Sequence, residues 1–186
     1  KLIFLITLLL PIIANHAHGV TIGSSTIGAT TVQIKAFNPL GQTFQAEGTG
    51  LESFSLHYVA VNPGANPAIT LSIYAGIGNG GSLIGAKSFS LDGSFDGLNA
   101  VNFSSLGSVF TIGDQYSAMV TTTNGYWGLV NSNNGYANGH AIMFGGLQNT
   151  DLRFSATFSA VPDTGSTAAL LGVGVFVLAA ARRRLG

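Results

Sequence analysis

The chain has 186 residues, 46% hydrophobic and only 8% charged, with a formal net charge of zero and no cysteine. Outside the last few residues the bases are few and scattered, with no cluster to replace phosphate counterions, which argues against nucleic acid as a partner. Without cysteine there is no disulfide framework, so stability must come from packing and sheet hydrogen bonds.

Lys1 precedes an apolar run from Leu2 to Ile13. A charged start followed by an apolar stretch of this length predicts a secretory signal peptide. Ala17-His18-Gly19 fits a small-x-small cleavage site, which assigns residues 1–19 to the signal and places the mature start near Val20. An N-terminal anchor helix is the alternative. Either way the middle of the chain crosses a membrane.

Residues 20–160 make one domain-sized segment. It holds six acids (Glu47, Glu52, Asp92, Asp96, Asp114, Asp151) and three bases (Lys35, Lys87, Arg153), hence a net charge of −3. From Leu51 to Val61, Phe54, Leu56 and Tyr58 share one face, and Ser53, Ser55 and His57 the other. Ile69, Leu71 and Ile73 alternate with Thr70, Ser72 and Tyr74; Tyr116, Ala118, Val120 and Phe154, Ala156, Phe158 repeat the pattern. A period of two with branched and aromatic residues predicts half-buried strands. Asn62-Pro63-Gly64, Gly76 to Gly81, Asp92-Gly93, Asp96-Gly97 and three Asn-Gly pairs supply turns. No amphipathic helix stands out. The expectation is all-β: an antiparallel β-sandwich ectodomain of the jelly-roll kind.

Several motifs in this domain invite a chemical reading. Gly76-Ile77-Gly78-Asn79-Gly80-Gly81 satisfies G-x-G-x-x-G, but a strand pattern follows where a dinucleotide site needs a helix. A hairpin loop is expected. Asp92, Ser94 and Asp96 alternate as oxygen ligands do, which makes them a candidate structural calcium site. Phe103 stands where an EF-hand would place its closing acid. A tight turn is the plainer reading. Tyr126 and Trp127 with Asn131, Asn133, Asn134, Tyr136, Asn138 and His140 form an aromatic and amide cluster. Aromatic faces with nearby amides suit sugar rings, so a carbohydrate-binding module using Tyr126, Trp127, Asn134, Tyr136 and His140 is one reading. Core packing plus turns is the other, since Trp is usually buried. No G-x-S-x-G elbow or H-E-x-x-H spacing occurs in the domain, and His57 and His140 are far apart, so catalysis is not expected. Asn102-Phe103-Ser104 is a glycosylation sequon by pattern alone.

The chain ends in Val161-Pro162-Asp163-Thr164-Gly165, an uncharged stretch through Ala181, and Arg182-Arg183-Arg184. Ala168 to Ala181 is fourteen residues; as a helix it reaches about 21 Å against a hydrocarbon core of ~30 Å. Starting the span at Thr167 and letting the arginine stems snorkel narrows the gap. Three arginines stop such a segment at the inner face and orient it. A buried C-terminal helix is the alternative, but a core helix does not normally finish in three arginines. The expected layout is a motif at 161–165, a transmembrane helix at 167–181 and a basic tail at 182–184.

This tail resembles the PEP-CTERM class of sorting signals, closest to the VPDSG-CTERM variant that exosortases of Gram-negative bacteria recognise. Val161, Pro162, Asp163 and Gly165 carry the resemblance, with Thr164 in place of Ser; Ser166 to Gly172 and the terminal arginines match its continuation. The resemblance implies an exosortase-type transpeptidase as partner and transient anchoring in the inner membrane. Delivery to the cell surface, outer envelope or extracellular polysaccharide would follow. The same five residues resemble the Leu-Pro-x-Thr-Gly signal of Gram-positive sortases, which would cut between Thr164 and Gly165. Gln42 to Phe44, Leu51 to Phe54, Leu71 to Tyr74, Val109 to Tyr116 and Asp151 to Phe154 are also similar in order to β-sandwich ectodomains of PEP-CTERM proteins. A non-enzymatic exported surface or matrix protein is therefore the expected function.

Overall fold

An extended backbone sends successive side chains to opposite faces, so the alternating segments can bury one face only by pairing into sheets. The computed structural model describes residues 19–26, 28, 30–62, 64–133 and 135–159. The expected signal peptide, sorting motif and transmembrane span lie outside the described residues, as does Asn134. Among the described residues no helix is long and apolar enough to cross a membrane.

The strands are β1 (Thr21–Ser24), β2 (Thr31–Gln33), β3 (Leu40–Gln45), β4 (Leu51–Ala60), β5 (Ile69–Ala75), β6 (Leu83–Phe89) and β7 (Asp96–Asn102). A 3-10 turn at Ser104–Leu106 follows, then β8 (Gln115–Thr122), β9 (Trp127–Ser132), β10 (Ala141–Met143), β11 (Gly146–Leu147), β12 (Asp151–Leu152) and β13 (Phe154–Phe158). All pairs are antiparallel. One sheet runs β11-β10-β3-β8-β5-β6. The other is built on β4, with β7 along one side. Along its other side β13 pairs with residues 51–56 and β9 with residues 58–60. β1 extends this sheet beyond β13, and β2 pairs with β9. The expected β-sandwich is what forms.

The second sheet contains a fork. β4 and β9 pair from Tyr58 to Ala60 and then separate. β12 runs into the gap along β9, the chain turns at Arg153, and β13 leaves along β4. Arg153 sits in the crotch, where its N–H donates to the Val130 carbonyl at 2.9 Å and its carbonyl accepts from the His57 N–H at 3.1 Å. A sheet can divide here because both freed edges find a new partner, β12 along β9 and β13 along β4.

The two inner faces meet in an aromatic core. Phe44 of β3 reaches across to Phe54 of β4 with ring centroids 5.1 Å apart, and Phe54 stacks on Phe154 at 5.5 Å. Phe54, Leu56 and Tyr58 all point inward, as their alternation predicts. Trp127 lies fully buried in β9, and its Nε1–H donates to Asn66 Oδ1 at 2.9 Å. β9 shows no alternation because five of its six residues are buried. β3 is packed just as tightly, and an added Cβ at Gly41 would meet the Ala118 carbonyl.

Tyr58 is the exception in this core. Its ring packs edge-on against Phe89 at 5.6 Å, yet its hydroxyl is buried with no protein partner. Burial pushes the phenol far above its ordinary value near 10. The folded state therefore holds this proton after the unfolded chain has lost it. Its contribution to stability is intact below about pH 10 and falls as pH rises beyond that. Tyr58→Phe removes the orphan hydroxyl while keeping the ring. It should raise stability by about 1 kcal/mol and flatten the alkaline loss, read from denaturant melts at pH 8 and pH 11. Phe54→Ala should cost about 3–5 kcal/mol, and the emission of the single, buried Trp127 supplies the unfolding signal for both.

Candidate functional sites

The sorting residues Val161, Pro162, Asp163, Thr164 and Gly165, and the stop residues Arg182, Arg183 and Arg184, lie outside the described residues. What is described is the point from which they depart. Ser159 is tied down by its N–H and its hydroxyl, both donating to the Gly50 carbonyl at 2.8 and 3.1 Å. One residue earlier, the Phe158 N–H donates to the Val20 carbonyl at 2.8 Å. Both ends of the folded domain therefore emerge side by side at one pole. The loop 107–113 belongs to that pole: the Phe110 N–H donates to the Thr49 carbonyl, and its ring lies 6.1 Å from Phe158.

The aromatic and amide cluster does not assemble into an open surface. Trp127 is fully buried and Tyr136 nearly so, which withdraws both rings from any sugar. Tyr136 packs edge-on against Phe154 at 5.2 Å, and its hydroxyl accepts from the Gln45 N–H at 3.1 Å. Burial raises its phenol, with Glu47 and Asp151 adding to the rise and the Gln45 hydrogen bond opposing it. Tyr126 is half-buried and donates to the Gly93 carbonyl at 2.6 Å. His140 is held through its backbone, which exchanges hydrogen bonds with Thr43. Among the described residues the exposed aromatic is Phe144, 67% open, at the tip of the β10–β11 hairpin. It has a φ of 54° and packs against Phe37 at 4.9 Å. Phe144 and Gly145 form the two-residue turn joining Met143 to Gly146, a geometry that needs positive φ at both central positions.

Beneath this cluster lies a polar site that sequence patterning misses. Asp151 is fully buried. Its Oδ2 accepts from the successive N–H groups of Gly135 and Tyr136 at 3.0 and 2.9 Å, and its Oδ1 accepts from Gln42 Nε2 at 2.9 Å. Gln42, buried in β3, also accepts the Leu152 N–H at its Oε1 at 2.7 Å. This set ties the two sheets together beside the fork. Every partner is supplied by the fold itself, so the site is structural. The signal in the sequence was a lone Asp before an alternating strand, which by itself reads as a solvated edge residue.

The calcium candidates each make local hydrogen bonds. Asp92 Oδ1 accepts from the Ser94 hydroxyl at 2.5 Å and the Ser94 N–H at 2.9 Å, and these two bonds, the hydroxyl first, hold its carboxyl below the usual range. Asp96 turns instead to His57 Nε2 at 2.5 Å. Among the described residues no three His, Asp or Glu side chains converge as a metal would require. Asp92 and Ser94 form the tight turn, with the Phe95 N–H donating to the Asp92 carbonyl.

His57 is committed on both nitrogens. Arg153 Nη1, which can only donate, lies 2.8 Å from Nδ1, so Nε2 carries the proton and donates to Asp96. No ring nitrogen is left to activate a hydroxyl. The Gly76 to Gly81 segment is the loop joining antiparallel β5 and β6, the expected hairpin. Asp151→Ala would leave Gly135 N, Tyr136 N and part of Gln42 unpaired in the interior. A loss of about 3 kcal/mol is expected from denaturant melts; a change below 0.5 kcal/mol would remove the inter-sheet tie from this account.

Residues 160–185 match the family model described as VPDSG-CTERM motif. No curated protein matches the chain. Among solved structures, one similar chain is the crystal structure of the infectious bursal disease virus VP2 subviral particle, at 11% identity and a TM-score of 0.27. The alignment covers 90% of this chain and 47% of that one, so the chain spans about half the length of the structure it matches. Exosortase processing is the known role of the matched motif, and the motif implies export toward the cell surface. At residues 160–185 this chain carries a PEP-CTERM-type sorting domain of the VPDSG-CTERM variant.

Proposed function

We propose that the chain is a non-enzymatic exported protein of the bacterial surface or extracellular matrix, delivered by its two ends and functional through its sandwich. The signal peptide at 1–19 takes the domain across the inner membrane. The apolar segment at 167–181 then stays in lipid, because three arginines are too costly to pull through. Pro162 fixes its own φ and keeps Val161 extended, the shape a transpeptidase groove accepts. Cleavage within Val161 to Gly165 frees the domain from its anchor for transfer to the envelope or the extracellular polysaccharide.

The observation that carries this reading is the VPDSG-CTERM match at 160–185, which follows directly in sequence on a β-rich domain described through Ser159. The commitment of His57 and the burial of Asp151 support a domain built for persistence rather than catalysis. From β3 to β12 the chain passes repeatedly between the two sheets, and we assign this wiring to the jelly-roll kind.

Mass spectrometry of the protein recovered from its host tests the reading. The expected result is a new C terminus within 161–165, and Pro162→Ala should leave most of the protein intact in the membrane fraction. A mature protein still ending in the arginine block would overturn it.

A further inference from the structure

The pole that releases the tail is unusually apolar for a surface. Val20, Ile77, Val109 and Ile112 are 43%, 59%, 51% and 50% exposed, and all four lie on segments bonded to this end of the sandwich. Val20 bonds to Phe158, and Val109 flanks Phe110, which bonds to Thr49. Ile112 precedes Gly113, whose N–H donates to Ala46; Ile77 follows Gly76, whose N–H donates to Gln115. Acidic groups accompany them, with Asp114 exposed and Glu47 half-buried, while Lys35, Lys87 and Arg153 lie on other segments.

Covalent continuity limits what can face this patch. Ser159, the last of the described residues, is anchored to the sandwich, and Asp163 lies four residues on. Fully extended, those four residues span at most about 14 Å. A folded domain of 100 residues already has a radius of gyration of about 13 Å. An enzyme that closes on Val161 to Gly165 therefore brings its own surface against the pole. Resting on the processing reading above, we propose that this pole is a docking surface for the processing enzyme, with Val109, Ile112 and Val20 as its apolar contacts. A lipid surface fits less well, because Glu47 and Asp114 would face anionic headgroups with no base beside them. The matching surface is a protein face that is apolar at its centre and basic at its rim.

The full chain in its host tests this, with the ratio of intact to shortened protein followed over time. Val109→Ser combined with Ile112→Ser should slow processing roughly tenfold, with the unfolding midpoint of the exported protein unchanged. A six-residue Gly-Ser insertion between Ala160 and Val161 leaves the sandwich untouched and should also slow processing, because it uncouples the motif from the docking face. Faster processing of the insertion would mean that the pole only obstructs, and would overturn the proposal. So would parental rates in both variants. Loss of membrane retention with processing unchanged would assign the patch to lipid and overturn it likewise. Pro162→Ala separates the two readings. If it blocks processing while the pole variants run at the parental rate, the docking surface alone fails. If it too is processed normally, the sorting assignment fails with it.

Discussion

A carboxylate cut off from water is tolerated only when its lone pairs are met, and the position of Asp151 forces the surrounding structure to meet them. Two successive backbone N–H groups form a small anion cradle at Gly135 and Tyr136, while Gln42 reaches from the opposite sheet. Gln42 Oε1 in turn accepts the Leu152 N–H, so one amide side chain fixes both residues of β12. With β12 fixed along β9, the chain must turn at Arg153 and leave along β4. The path of β13, and with it the exit at Ser159, follows from that turn.

The exit bears on processing. A sorting signal has to be accessible, yet the domain before it has to stay folded while an enzyme grips the tail. Ser159 is held by two hydrogen bonds to Gly50 and by the packing of Phe158 beneath it, so the tail begins from a fixed point. β1 pairs along β13 from Thr21 to Ser24, which brings the start of the described chain to the same place. Both ends of the described domain therefore lie at one pole. The Phe37 and Phe144 pair lies at the opposite pole of the sandwich from Ser159.

Much of the sandwich was legible because burial on one face leaves a period-two trace. Phe54, Leu56 and Tyr58, and Ile69, Leu71 and Ile73, read correctly for that reason. β9 and β3 left no such trace. Trp127 to Ser132 and Leu40 to Gln45 are covered nearly throughout, so apolar and polar residues alike go inside and alternation vanishes. That is why alternation did not decide between the two readings of the Trp127 region, and its burial decides for the core strand. The Asp92 to Asp96 segment is the tight turn that its Asp-Gly pairs suggest. Its spacing also imitates metal ligands, and in the fold Asp92 pairs with Ser94 while Asp96 pairs with His57.

Sequence alone determined the address. A signal of this kind is read by other molecules as a linear string, so Val161 to Gly165, the apolar run and the arginines carry their meaning without folding. Sequence also determined the all-β class, since local alternation is a property of neighbouring residues. Only the tertiary structure decided which polar residues are interior and where the chain departs. Asp151 meets Gln42 across 109 positions of sequence, and Ser159 meets Gly50 across another 109. Contacts so distant depend on how the two sheets close on each other, and no local pattern encodes that closure.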